Sequence, residues 1–139
     1  MALQTPVDYS ILSILVHKEV VWLGSSLQDL KGLPEEVCNE IGHALCVAQR
    51  GGKAPRAKPL SGYKGASVLE IVENYDSNTY RCVYTVRFEE AIYVLHSFMK
   101  KSAEGSKTPK RQMDIVDLRL KRAEELHEAW QKSEQRKKQ

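Results

Sequence analysis

No apolar run in this chain approaches the roughly 20 residues that a membrane-spanning helix needs. The longest near the start, residues 11–16, has no basic region before it and no small-residue cleavage site after it. Neither a membrane span nor a secretory leader is therefore expected. Cysteine is scarce: Cys38, Cys46 and Cys82 are odd in number, and no two of them form a C-x-x-C pair. That argues against a disulfide framework. Because all three lie within apolar patterns, buried reduced thiols in a cytoplasmic protein are the expected state. The histidines, His17, His43, His96 and His127, are widely spread, and none stands at ligand spacing from a cysteine. No metal site and no cofactor are expected. A P-loop and a G-x-S-x-G nucleophile elbow are both missing.

What is there suits one domain. The 139 residues are 42% hydrophobic, enough for a single packed core, and 28% charged. The net charge of +3 is unevenly spread. Residues 1–50 carry three Lys/Arg against six Asp/Glu, whereas residues 99–139 carry twelve against seven. An acidic start and a basic end fit either a surface that meets a polyanion or a solvated terminal helix.

Local signals set an order of elements. Residues 10–16 fit a strand or a short helix equally, within a poorly defined N-terminal extension over 1–18. Val20-Val21-Trp22-Leu23 reads as a strand ending at Gly24. Ser26 is expected to cap a first helix carrying Leu27 and Leu30. Pro34 is expected at the first position of a second, with Glu35 and Glu36 at the positive end of its dipole. Val37, Ile41, Leu45 and Ala48 form the apolar stripe of that second helix, and Gly51-Gly52 ends it. Residues 51–66 read as a loop. Strands over 68–72, 80–87 and 91–98, separated by short turns, predict an antiparallel meander. A last helix starts at Thr108-Pro109, with Met113, Val116, Leu120, Ala123 and Trp130 along one face, and the polar residues 131–139 are expected to fray. The fold class is α+β: a small antiparallel sheet against a helical hairpin, with a C-terminal helix. The domain proper spans 19–130.

Several of these segments, taken together, resemble a known family. They are Val21-Trp22-Leu23-Gly24-Ser25-Ser26, Leu33-Pro34-Glu35-Glu36-Val37, Ala57-Lys58-Pro59-Leu60 and Val68-Leu69-Glu70-Ile71. Tyr80-Arg81-Cys82-Val83-Tyr84, Tyr93-Val94-Leu95-His96-Ser97-Phe98, Lys100-Lys101 and Thr108-Pro109-Lys110 continue the series. In order and spacing, over about residues 20 to 125, they resemble phage-derived HigB-like toxins of the RelE/ParE superfamily. The resemblance implies a RelE/ParE-like fold and ribosome-dependent, metal-independent cleavage of messenger RNA. It also implies a partner antitoxin with a helix-turn-helix DNA-binding domain. Two other functions remain open: a ParE-like inhibitor of DNA gyrase on the same scaffold, and a non-enzymatic nucleic-acid-binding module.

Cleavage of this kind needs a base for the 2′-hydroxyl, positive charge around the phosphorane and a proton for the leaving 5′-oxygen. Arg81 matches the arginine of the RelE-type Tyr-Arg-x-x-Tyr strand, which the resemblance assigns to the scissile phosphate, and a guanidinium fork suits phosphate better than an ammonium does. His96, with Ile92, Val94 and Phe98 at the same parity, fits either a satisfied core residue or a general acid or base. Lys100 and Lys101 resemble the basic pair that closes the last strand of such toxins. Glu70 reads as a general base or as the ion-pair partner of Arg81. Lys58, Lys64, Lys110 and Arg111 are expected to hold RNA backbone. The family's frequent C-terminal tyrosine has no counterpart, since residues 102–139 contain no Tyr. An antitoxin is expected on the basic face around Lys100, Lys101, Lys110 and Arg111, or alternatively on the hairpin over 25–50.

Overall fold

The computed structural model describes residues 17–63, 67–100 and 109–138. Residues 10–16, Lys64, Lys101 and Thr108 lie outside the described residues. The β-branched run near the start forms β1 (Glu19–Trp22). Two helices follow, α1 (Ser26–Lys31) and α2 (Glu35–Gln49). Then come β2 (Ala57–Pro59), β3 (Val68–Tyr75), β4 (Asn78–Thr85), β5 (Ala91–Lys100) and the long α3 (Lys110–Lys137). The five strands form one sheet in the order β1-β5-β4-β3-β2. The meander β3–β4–β5 is antiparallel, as expected, and β2 extends it antiparallel to β3. By contrast β1 pairs parallel with β5, so the sheet is mixed rather than purely antiparallel.

Alternation along the strands divides the core into two layers. On one face Leu69, Ile71, Cys82, Tyr84, Ile92 and Val94 pack against Val37, Ile41, Ala44, Leu45 and Ala48 of α2. On the other, Val68, Val83, Tyr93, Leu95 and Phe98 pack against Val116 and Ala123 of α3. Ile41 is fully buried, and truncating such a side chain to Ala costs about 2–5 kcal/mol. The C-terminal helix therefore covers the face opposite the hairpin, and the sheet lies between two helical layers.

Turn chemistry explains several junctions. Asp76 and Ser77 both have positive φ, at 50° and 67°, in a two-residue loop between the paired residues Tyr75 and Asn78. That is the left-handed pair a tight hairpin requires, and aspartate tolerates it best after glycine and asparagine. Past the end of α2, Gly51 (φ 87°) turns the chain so that its N–H donates to Ala48 O and that of Gly52 to Val47 O.

Five local expectations need correction. The segment 51–66 contains a strand, β2, which pairs with β3. Ser26 does not cap α1: Ser25 holds that position, and the Ser26 hydroxyl donates to Val94 O at 3.2 Å, tying the helix to β5. Pro34 sits one place earlier than expected, at the N-cap of α2. The tail is helical to Lys137, with Lys132–Glu128 and Lys137–Glu134 pairs along it. Of the cysteines only Cys82 is buried; Cys38 is half-buried and Cys46 exposed. Burial pushes the Cys82 thiol up to about 12, against the pull of its hydrogen bond with Ser97.

Candidate functional site

Sheet register gathers the expected polar residues on the α3 face. Lys58 stands opposite Glu70, Glu70 opposite Val83, and Val83 opposite His96. One step along, Val72, Arg81 and Phe98 form the next row, and Asn74, Thr79 and Lys100 the one after. Glu70, Arg81 and Lys100 thus lie on a diagonal across three neighbouring strands, with Lys58 at the sheet edge.

The diagonal is closed to water. Glu70 is 4% exposed, Arg81 6% and Lys100 2%. Arg81 Nη1 donates to Glu70 Oε2 at 2.7 Å. Lys58 Nζ approaches the other carboxylate oxygen at 3.8 Å from an exposed position. Taking two ionised groups out of water costs several kcal/mol each, and the short charge-assisted bond offsets that loss. The carboxylate restrains the guanidinium through that one bond. Among the described residues, this diagonal and its edge carry three cations to one carboxylate. Once opened to solvent, such an arrangement can hold a phosphate group against the guanidinium.

His96 is placed differently from its expected parity. Val83 pairs with His96 but Tyr84 pairs with Val94, which leaves Leu95 as an extra residue on β5. This β-bulge reverses the alternation. His96 therefore shares a face with Phe98 and α3, away from Ile92 and Val94, which pack on the hairpin side. Its ring stacks on Phe98 at 4.9 Å, its Nε2 contacts Gln112 Oε1, and its Nδ1 lies 3.5 Å from Arg119 Nη1. Burial lowers its pKa below the ordinary histidine value; the Gln112 bond opposes that shift and Arg119 adds to it. The result is a neutral imidazole engaged at both nitrogens, in the row of Glu70 and one row away from Arg81.

Arg119 and Gln112 escaped sequence reasoning. Arg119 Nη1 donates to Leu95 O at 2.9 Å and Nη2 to Ser25 Oγ at 3.0 Å, so one side chain joins α3 to β5 and to the start of α1. Gly24, at φ +53°, makes room: a Cβ there would lie 2.7 Å from Arg119 Nε. A signal was available, because Arg119 falls three residues after Val116 and four before Ala123, both fully buried. Lys110 and Arg111 are exposed at the start of α3, and Lys110 pairs with Asp114 at 2.9 Å. The Gln112 contact brings that start to the half of β5 that ends in Lys100.

Residues 28–121 match the family described as Phage derived protein Gp49-like (DUF891). The chain belongs to this Gp49-like family, a RelE/ParE-like toxin family. Among curated proteins and among solved structures, none matches the chain. The Gp49-like match spans the chain from within α1 to the middle of α3, so β3, β4, β5 and the Glu70–Arg81 pair all lie inside it. Among the described residues no group of three His, Cys, Asp or Glu side chains is arranged to hold a metal ion. No helix among them is long and apolar enough to cross a membrane.

Proposed function

We propose that this Gp49-like chain is the toxin of a type II toxin–antitoxin pair, HigB-like in action, and that it cleaves messenger RNA on the ribosome in the cytoplasm. The observation that carries the reading is the guanidinium of Arg81, fixed by Glu70 at 2.7 Å on a sheet face that also bears Lys58 and Lys100. In the proposed reaction the 2′-oxygen attacks the adjacent phosphorus and the P–O5′ bond breaks, which leaves a 2′,3′-cyclic phosphate. Arg81 and Lys100 balance the charge that grows on the phosphorane. Glu70 takes the 2′-hydroxyl proton once phosphate competes for Arg81, and gives that proton up to the leaving 5′-oxygen as the P–O5′ bond breaks. Lys58, Lys110 and Arg111 hold flanking backbone, with Lys64 and Lys101 as further candidates. His96, engaged by Gln112 and Arg119, sets the position of β5 under α3 and becomes an acid or base only if α3 shifts.

The proposed partner is a helix-turn-helix antitoxin that covers the basic face and so blocks phosphate binding. Lys100→Glu with Lys101→Glu should weaken that complex; unchanged affinity would move the contact to the α1–α2 hairpin. The activity itself is tested by incubating purified protein with ribosomes programmed with a defined message. Cuts within the A-site codon, bearing cyclic-phosphate ends, support the reading. Gyrase-dependent DNA breaks with intact message would replace it by gyrase inhibition, and RNA binding without cleavage by a non-enzymatic module.

A further inference from the structure

At the opposite end of β5 and α3 lies a cavity of about 210 Å³ lined by Glu19, Val21, Glu90, Tyr93, His127 and Trp130 among others. Its walls are aromatic. His127 is 3% exposed and lies 5.7 Å from the ring of Tyr93, nearly edge-on, and 5.3 Å from that of Trp130. Phe88 backs both His127, at 4.3 Å, and Tyr93, at 5.2 Å.

The rings are held in place by a short polar chain. The Tyr93 hydroxyl shares a hydrogen bond with His127 Nδ1, and His127 Nε2 bonds Glu90 Oε1, each at 2.9 Å. The polar rim is acidic. The backbone N–H of Glu19 donates to Glu90 O at 3.3 Å, so the two carboxylate-bearing residues are neighbours. Both carboxylates act on Tyr93, whose phenol is raised first by burial and then by Glu19 and Glu90. Trp130 stays 42% exposed at the mouth, a large aromatic surface that the fold leaves partly uncovered.

We propose that this cavity is a binding pocket for the guanidinium of an arginine side chain presented by a protein partner. Aromatic faces attract a cation through the ring quadrupole, and guanidinium also stacks on them. Glu19 and Glu90 supply the opposite charge at the rim. They also repel phosphate, so the pocket is not a continuation of an RNA path. Its volume falls below the roughly 300–1,000 Å³ typical of sites for whole small molecules, and suits the end of one side chain. The inference does not depend on the nuclease reading.

The test is an NMR titration of the full chain, following the backbone N–H signals of Glu90, Ala91 and Tyr93, with backbone-blocked arginine, its neutral isostere blocked citrulline, and agmatine. Blocked arginine should give a saturable shift and bind about tenfold more tightly than citrulline. Glu19→Gln should weaken arginine binding by about three- to tenfold and Trp130→Leu by at least as much. Both positions are exposed, so a native spectrum is expected, and Glu19→Gln leaves the His127 bonds intact. Equal binding of arginine and citrulline, or no saturable shift, would overturn the pocket as a cation site. A clear preference for agmatine over blocked arginine would overturn the protein partner and point to a free small cation.

Discussion

The two ends of the β5–α3 layer solve the same problem in opposite ways. Both bury polar groups on the sheet face that α3 packs against. At the end of β5 the buried groups are ions: Glu70, Arg81 and Lys100, held across three strands. At its start the buried group is an imidazole, His127, with carboxylates only at the rim. One end offers positive charge and the other aromatic faces with negative charge. Linear charge counts do not foretell this, because the basic C-terminal third supplies both Lys100 and the His127–Trp130 wall. The fold sorts charge by position along β5, not by position in the chain.

The largest effect is expected from breaking the ion pair. Arg81→Ala or Glu70→Ala alone strands a buried charge and should cost about 3–5 kcal/mol in urea unfolding. Replacing both, Arg81→Met with Glu70→Leu, should return most of that stability while leaving no cleavage activity. Single variants as stable as the parent would show that the pair is not buried. At the other end, His127→Phe keeps the aromatic wall but removes two hydrogen bonds. A loss of about 1–3 kcal/mol is expected, with the cleavage rate of the folded protein unchanged.

A smaller effect reads the burial of His96 by pH. His96 is harder to protonate in the fold than in the unfolded chain. Above about pH 6.5 both states carry it neutral and its contribution is constant. Below that value the unfolded state takes up the extra proton, so stability falls with pH, by at most about 1.4 kcal/mol per unit for one group. His96→Gln should flatten that part of the stability curve. An unchanged slope in the variant would place the titration elsewhere.

What the sequence disclosed, and what it withheld, follows from the range of the forces involved. The meander, the α2 stripe and the Gly51 stop are written in neighbouring residues, and they were legible. So was the Glu70–Arg81 pairing as one of two roles for Glu70. The strand β2 was not, because three residues including Pro59 carry no strand signal and owe their state to β3. The facing of His96 was not, because the bulge at Leu95 is a property of how β4 and β5 match. Cys46 illustrates the limit of apolar patterning: it lies beside the buried Leu45 yet is exposed. The smallest effect checks that point. Cys46 should react first with a thiol reagent in the native protein, and Cys82 only on unfolding. Early labelling of Cys82 would contradict its place in the core.

The central claim is that Arg81 acts on the phosphate in the transition state. The direct measurement is single-turnover cleavage of message on programmed ribosomes, comparing the native chain with Arg81→Ala under conditions where both are shown to be folded. The account predicts a fall of about 10²–10³-fold in the cleavage rate, with ribosome binding largely retained. A folded Arg81→Ala protein that cleaves at the native rate would contradict it, and would move the chemistry off this face of the sheet.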